Sequence, residues 1–467
     1  MRASCILTVV LTLMAGRVYA ADFGDLAVRA SDLNTANAVE IPSATQAYQE
    51  LPEGDGCEAQ SGPIRRLIDS IEAGAARGSR AEMNALFGLR RQLALGSANA
   101  PECAREMREL ISRSRHIQDD IAVALLAGGG ENSGVPFRGE LSVQKNASFR
   151  FPEDLRTGDI MLSRGTNMMG SIAARMSETP GEYSHLGMVY RDPQTRGLFI
   201  LASDAGVGAA VEPIAKFLGG RARLMVMRYQ DTELAEKAAL LMRARLEKTV
   251  PYDYSLDAAD DSSLYCTEVA AVGFRLAGRI EVPLQMSRLP GAGRNRMYSD
   301  IGIAGRNVFF AQDLEADPRF EVMAEWTDYS RIGEMNKIDA VYGKMAQWMD
   351  RENYVFTKNI LNQGIGGILS TLAGKKISDS AGGLGGLSIR NGFDFGLTLY
   401  QFVTVLRTKM AESIKDKARY HSLAELNGIL ESVRAEDSRR YKDAALYGPA
   451  EHDFSVNIHS YFRPGRM

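Results

Sequence analysis

The spacing of apolar residues predicts an α+β chain, with a central mixed segment over residues 149–330 set between two helical regions. Two observations carry this. From 149 to 280, short apolar runs ("GDIMLS", "SHLGMVY", "LFILAS" and "RLMVMRY") are broken by Gly, Pro, Asp and Ser, the mark of strands separated by turns. On either side, apolar residues recur at helical spacing instead, as Ile338, Val341, Met345 and Trp348 do in "EMNKIDAVYGKMAQWM".

The elements follow in order. Residues 1–20, "MRASCILTVVLTLMAGRVYA", have a basic start, an apolar run too short to span a bilayer, and small residues at the end. This is the pattern of a cleavable signal peptide. It predicts a periplasmic or secreted protein, and no later segment is apolar for long enough to span a membrane. Residues 21–56 read as a flexible leader. Residues 57–148 read as a helical region: one helix from near Pro63, a second from Ser79 with Glu82 as capping-box partner, a third from near Pro101, then a polar connector. In the central segment two helices, near 168–177 and 232–248, are interleaved with the strands, and residues 281–330 read as irregular. Residues 331–467 are helical again, with a helix near 394–416 and another opening at Ser422 with Glu425 as its partner. The Gly/Ser-rich stretch 364–388 lies between them and reads as a mobile loop. Its spacing to "GK" is wrong for a phosphate loop.

The chain has 467 residues and a formal net charge of -3, with both signs interspersed. That leaves no electrostatic footprint for nucleic acid. Three cysteines remain after the signal. If the first three helices run up, down and up, Cys57 and Cys103 lie at the same end and can bridge, which leaves Cys266 as a free thiol in an oxidising compartment.

Cys266 leads the amphipathic stretch "VAAVGFRLAG", with an apolar face through Val269, Val272 and Leu276. A helix N-terminus favours a thiolate, and Glu268 in the first turn suits the dipole. Thiol catalysis also needs a base. His116, His421, His452 and His459 stand in polar surroundings and read as solvated residues. His185 stands in a strand-like alternation, with Gly187 leaving room beside it and Leu186, Met188 and Tyr190 pointing the other way. Either Asp204 or Ser203, at the end of the next apolar run, can orient the imidazole. No HExxH motif or paired Cys/His spacing supports a metal site, no cofactor motif occurs, and no G-x-S-x-G elbow supports a serine hydrolase.

Five blocks in this order, "LRTGDIMLSRG", "YSHLGMVY", "DAGVGAAVEPIAKFL", "PYDYSLD" and "LYCTEV", resemble the permuted papain-like amidases of the YiiX/YaeF group, circularly permuted relatives of the NlpC cell-wall peptidases. The resemblance covers about 150–330. It implies a permuted papain-like core with an antiparallel sheet and packed helices. It implies Cys266 as nucleophile and His185 as base, with Tyr183 shaping the site or its oxyanion hole. The group commonly carries Glu-Ala where this chain reads "ASDA". Three functions follow as expectations: a hydrolase acting on a peptide or acyl-amide substrate, peptidoglycan first among them; a lipid acyl hydrolase or acyltransferase of the same fold; and a degenerate binding module.

Overall fold

The computed structural model describes residues 57–74, 80–99, 103–127, 140–143, 149–290, 292–300, 303, 307–357, 386–416, 420–447 and 457–465. The signal and leader, Ser79, His452 and residues 364–385 of the Gly/Ser-rich stretch lie outside the described residues.

Helices α1 (Cys57–Gly74), α2 (Arg80–Asn99) and α3 (Ala104–Ala127) come first. The Cys57–Cys103 disulfide is formed, with Cα atoms 5.2 Å apart. Closing that loop stabilises the fold by ~4 kcal/mol in the chain-entropy account. Next come β1 (Glu140–Val143), β2 (Ile160–Gly165), α4 (Met168–Arg175), β3 (His185–Arg191), β4 (Leu198–Asp204) and β5 (Gly208–Pro213). They are followed by α5 (Ile214–Leu218), β6 (Arg221–Tyr229), α6 (Thr232–Arg245) and α7 (Glu268–Gly278). Short pieces, β7 (Ser287–Arg288), α8 (Ala292–Asp300), β8 (Asn307–Val308) and α9 (Ala311–Glu315), lead to β9 (Phe320–Thr327). The chain ends with α10 (Tyr329–Glu352), β10 (Tyr354–Phe356), α11 (Gly386–Ser413), α12 (Leu423–Tyr447) and β11 (Phe462–Pro464).

Seven strands form one antiparallel sheet in the order β1-β9-β6-β2-β3-β4-β5. The fold is therefore the mixed one expected, with two differences at its edge. The polar connector supplies β1, and the stretch read as irregular supplies β9, which pairs with both β1 and β6. The run 197–214 is a hairpin, β4 and β5, turned through Gly206 and Gly208 at φ +84° and +94°. A side chain at Gly208 would also strike the Val250 carbonyl, 2.3 Å from an added Cβ.

Period-two alternation sends successive strand residues to two cores. Ile160, Leu162, Leu186, Met188, Leu201, Met225 and Met227 face α6 and α7. Met161, Val189, Ile200, Leu224 and Val226 face a smaller cluster that includes Phe217 of α5. In α7 the buried face runs through Val269, Val272 and Phe274; Leu276, expected in that face, is 47% exposed. The expected capping box of α12 is present: Ser422 N donates to Glu425 and Glu425 N to the Ser422 hydroxyl, both at 3.2 Å.

Where α3, the sheet, α9 and α10 meet, the interior is ionic. Arg115 lies between Glu315 (2.5 Å) and Glu325 (3.1 Å), and Arg90 also reaches Glu325 (2.9 Å). Arg223 pairs with Asp119, Arg164 with Asp339, and Arg175 with both Glu182 (3.4 Å) and Asp339 (2.9 Å). Burial would raise the Glu325 carboxyl, but the charges of Arg115 and Arg90 outweigh it and hold the group at about 2.

Three histidines read as solvated are engaged here or nearby. His116 Nε2 lies 2.8 Å from Glu182. His459 is buried with Nδ1 2.7 Å from Asp437 and Nε2 3.1 Å from the Tyr354 hydroxyl, and His421 is buried against the Asp416 carbonyl at 2.9 Å. His421 and His459 are thereby removed from water, while His116 stays partly exposed beside its carboxylate.

Candidate active site

Cys266 stands two residues before α7, on a segment fixed from several sides. Leu264 N donates to the Pro251 carbonyl at 2.9 Å, and the Ser203 hydroxyl donates to the Leu264 carbonyl at 2.6 Å. Thr267 donates from its hydroxyl to the Phe309 carbonyl at 2.5 Å, and Tyr265 N donates to the Glu268 carboxyl at 2.9 Å. The thiol is half-buried and free, and Sγ lies 4.0 Å from the carbonyl oxygen of Ser184.

Ser184 immediately precedes His185, the first residue of β3. The His185 ring is 8% exposed and stacks on Phe217, with centroids 5.3 Å apart and planes at 28°. Gly187 makes this possible. A Cβ there would lie 2.3 Å from Ile200 Cγ2 and 2.9 Å from Phe217 Cε2, so the ring that supports His185 occupies the room the glycine leaves. His185 Nε2 lies 3.4 Å from Asp204 Oδ1. That is an ion-pair distance without hydrogen-bond geometry, and Nε2 has no hydrogen-bond partner among the described residues.

The electrostatics favour neutral forms. Burial pushes the Cys266 thiol up to about 12, and the Asp204 charge adds to it. The N–H groups of Thr267 and Cys266 pull the other way without overcoming burial, so the help expected from the helix start is real but outweighed. Burial pushes the His185 imidazolium down to about 4, with Arg221 lowering it further and Asp204 raising it. Glu268 is also mainly moved by burial, up to about 9, so it sits in the first turn as a neutral acid rather than a charge serving the dipole. Proton transfer from thiol to imidazole creates both charges together, and the attraction within such a pair offsets part of the cost that each faces alone.

Of the residues singled out from the sequence, the structure brings Cys266, His185 and Asp204 into one neighbourhood. Ser203 is placed beside them, but its proton is committed to the Leu264 carbonyl, where it ties β4 to the cysteine segment. Tyr183 lies on the segment that leads into β3. It is fully buried under Arg115, whose guanidinium carbon is 5.0 Å from its ring centroid, and burial raises its hydroxyl well above the usual range. Three neighbours had no clear signal. Phe217 lies in a five-residue helix, Arg221 follows a Gly-Gly turn, and burial raises the Tyr252 hydroxyl well above its usual range, with Cys266 adding to the effect. Among the described residues no group of three or more His, Cys, Asp or Glu is placed to hold a metal.

Residues 154–322 match the family model described as permuted papain-like amidase enzyme, YaeF/YiiX, C92 family. A solved structure, metalloprotein yiiX from Escherichia coli O157:H7, is 19% identical and covers 36% of this chain and 95% of its own, with a TM-score of 0.30. No curated protein matches. The segment 154–322 is thus similar to the permuted papain-like amidases, and it contains Cys266, His185 and Asp204.

Proposed function

We propose that this chain, whose residues 154–322 match the permuted papain-like amidases, is an exported cysteine hydrolase that cleaves an amide bond in a cell-wall peptide. One observation carries the reading. Within the matched segment, the single free thiol among the described residues lies against the backbone of Ser184, next to an imidazole that itself faces a carboxylate.

The geometry supports the following steps. His185 takes the Cys266 proton as Sγ attacks the amide carbonyl, and Asp204 stabilises the imidazolium that forms. The resulting oxyanion collapses, the C–N bond breaks, and His185 returns the proton to the leaving amine. The acyl group stays on Sγ until water, deprotonated by His185, releases it as a carboxylate. The Cys57–Cys103 bridge and the N-terminal signal pattern support export, because such bridges persist in oxidising compartments. The catalytic unit spans 149–330, with 57–148 and 331–467 as flanking helical regions. Among the described residues no helix is long and apolar enough to cross a membrane.

A second reading, a binding module without turnover, is favoured by the upward push on the thiol. Alkylation of Cys266 by iodoacetamide separates the two. In an enzyme, the rate at neutral pH falls at least about tenfold in His185→Asn, since a positioned base contributes on that order or more. Its acid limb lies near pH 4, where burial places the imidazole, rather than near 6.5. Equal rates in the two proteins sink the catalytic reading.

A further inference from the structure

We infer that Arg221 is the anion-recognition group of this site, and that the substrate carries a carboxylate close to its scissile amide. This deepens the amide-hydrolase reading and rests on it.

The argument starts from how arginines are treated elsewhere in the molecule. Arg90, Arg108, Arg115, Arg164, Arg175, Arg223 and Arg294 are buried, and each has a carboxylate oxygen within 4.0 Å. Arg221, at the start of β6, is half-buried and has no carboxylate at ion-pair distance among the described residues. Only its Nε is used: it donates to the Phe217 carbonyl at 2.7 Å. The guanidinium carbon lies 5.2 Å over the Phe217 ring, and His185 stacks on that same ring. The guanidinium is thus held against the ring that supports the imidazole, with no hydrogen bond at either Nη among the described residues. Its charge is felt at His185, and the Cys266 and Asp204 charges are felt at Arg221.

A planar fork with two free N–H edges fits a carboxylate bidentately. Lys216 does not compete for the ligand, because its Nζ is 2.5 Å from Glu212. Charge decides between a carboxylate and a phosphate. Arg221 and Lys216 are balanced by Asp204 and Glu212, so a bound carboxylate leaves one negative charge and a phosphate dianion leaves two.

The test compares two reagents that alkylate the same sulfur, one anionic and one neutral. In the full-length protein, iodoacetate and iodoacetamide rates at Cys266 are measured, and their ratio cancels changes in thiolate fraction. Arg221→Gln is expected to lower the iodoacetate-to-iodoacetamide ratio about tenfold, the scale of a charge-assisted hydrogen bond. Arg221→Lys, which keeps the charge but not the fork, is expected to fall between them. Sodium acetate is expected to protect wild-type Cys266 from iodoacetate more than inorganic phosphate at equal ionic strength. An unchanged ratio in Arg221→Gln overturns the assignment, and stronger protection by phosphate overturns the carboxylate. If iodoacetamide reacts equally with wild type and His185→Asn, the hydrolase reading falls and takes this one with it.

Discussion

The sheet carries two clusters of buried titratable side chains, built on opposite plans. Where α3 meets β6 and β9, buried charges cross-pair: Glu325 receives Arg90 and Arg115, Arg175 reaches Glu182 and Asp339, and Arg115 also holds Glu315. Around Cys266, groups of the same chemical kinds are left short. Among the described residues the imidazole has no hydrogen bond at Nε2, its carboxylate is 37% exposed, the thiol meets the Ser184 carbonyl but no cation, and Arg221 has no carboxylate at ion-pair distance. Desolvation acts on both clusters. In the first, cross-pairing outweighs it at Glu325 and Glu182, and the pairs join the helices to the sheet. In the second it is not repaid, and the groups stay neutral or unsatisfied until a ligand or a proton transfer completes them.

The largest expected effect breaks the paired cluster. Glu325→Gln leaves Arg90 and Arg115 to share Glu315, with 3.8 Å and 2.5 Å contacts, in a site closed to water. We expect about 3–5 kcal/mol of destabilisation, the cost of uncovering a buried charge, read as a lower urea midpoint. A change below about 1 kcal/mol would mean that Glu315 alone answers both arginines and that the double pairing is redundant.

The next effect sharpens the contrast through pH. His185 falls from an ordinary 6.5 to about 4 on folding, so the unfolded chain binds its proton first as pH drops. Its contribution is complete above pH 6.5 and lost towards pH 4, at most about 3 kcal/mol from the size of the shift. Glu325, held at about 2, contributes above pH 4.5 and loses that contribution as pH falls towards 2. The two clusters therefore fail in adjacent windows. Urea titrations of wild type and His185→Asn should differ in slope between pH 6.5 and 4 and converge in slope below it. Parallel curves throughout would contradict the neutral, buried imidazole.

How much of this was legible in the sequence follows the same division. β2, β3, β4 and β6 showed themselves by alternation because each sends apolar residues to two cores. β9 did not, for two physical reasons: its register shifts opposite Val226/Met227, so Val322 and Met323 interrupt the alternation, and it carries the buried Glu325. β1 is four residues inside a polar connector. The ionic cluster was invisible because Arg115 and Glu325 are 210 positions apart, and a charge reads as solvated until its partner is known. Cys266, His185 and Asp204 could be named from block order, strand alternation and helix start. Arg221 and Phe217 could not, since their importance comes from the Phe217 ring, which meets both Arg221 and His185. Tyr183, two residues before the histidine, carries a contact its block did not signal, the Arg115 guanidinium over its ring.

The smallest expected effect concerns the seam between the clusters and the thiol. Ser203 donates to Leu264, two residues before Cys266, from within β4. Ser203→Ala removes a buried hydrogen bond and leaves a carbonyl unsatisfied, which costs about 1–3 kcal/mol. If that bond only stabilises the fold, the iodoacetamide rate of Cys266 stays at the wild-type value in conditions where both proteins are folded. If it holds the cysteine segment against β4, as its position beside Asp204 argues, the rate falls while the acid limb set by His185 stays in place. A shift of the acid limb itself would instead move Ser203 into the role of orienting the imidazole, and Asp204 out of it.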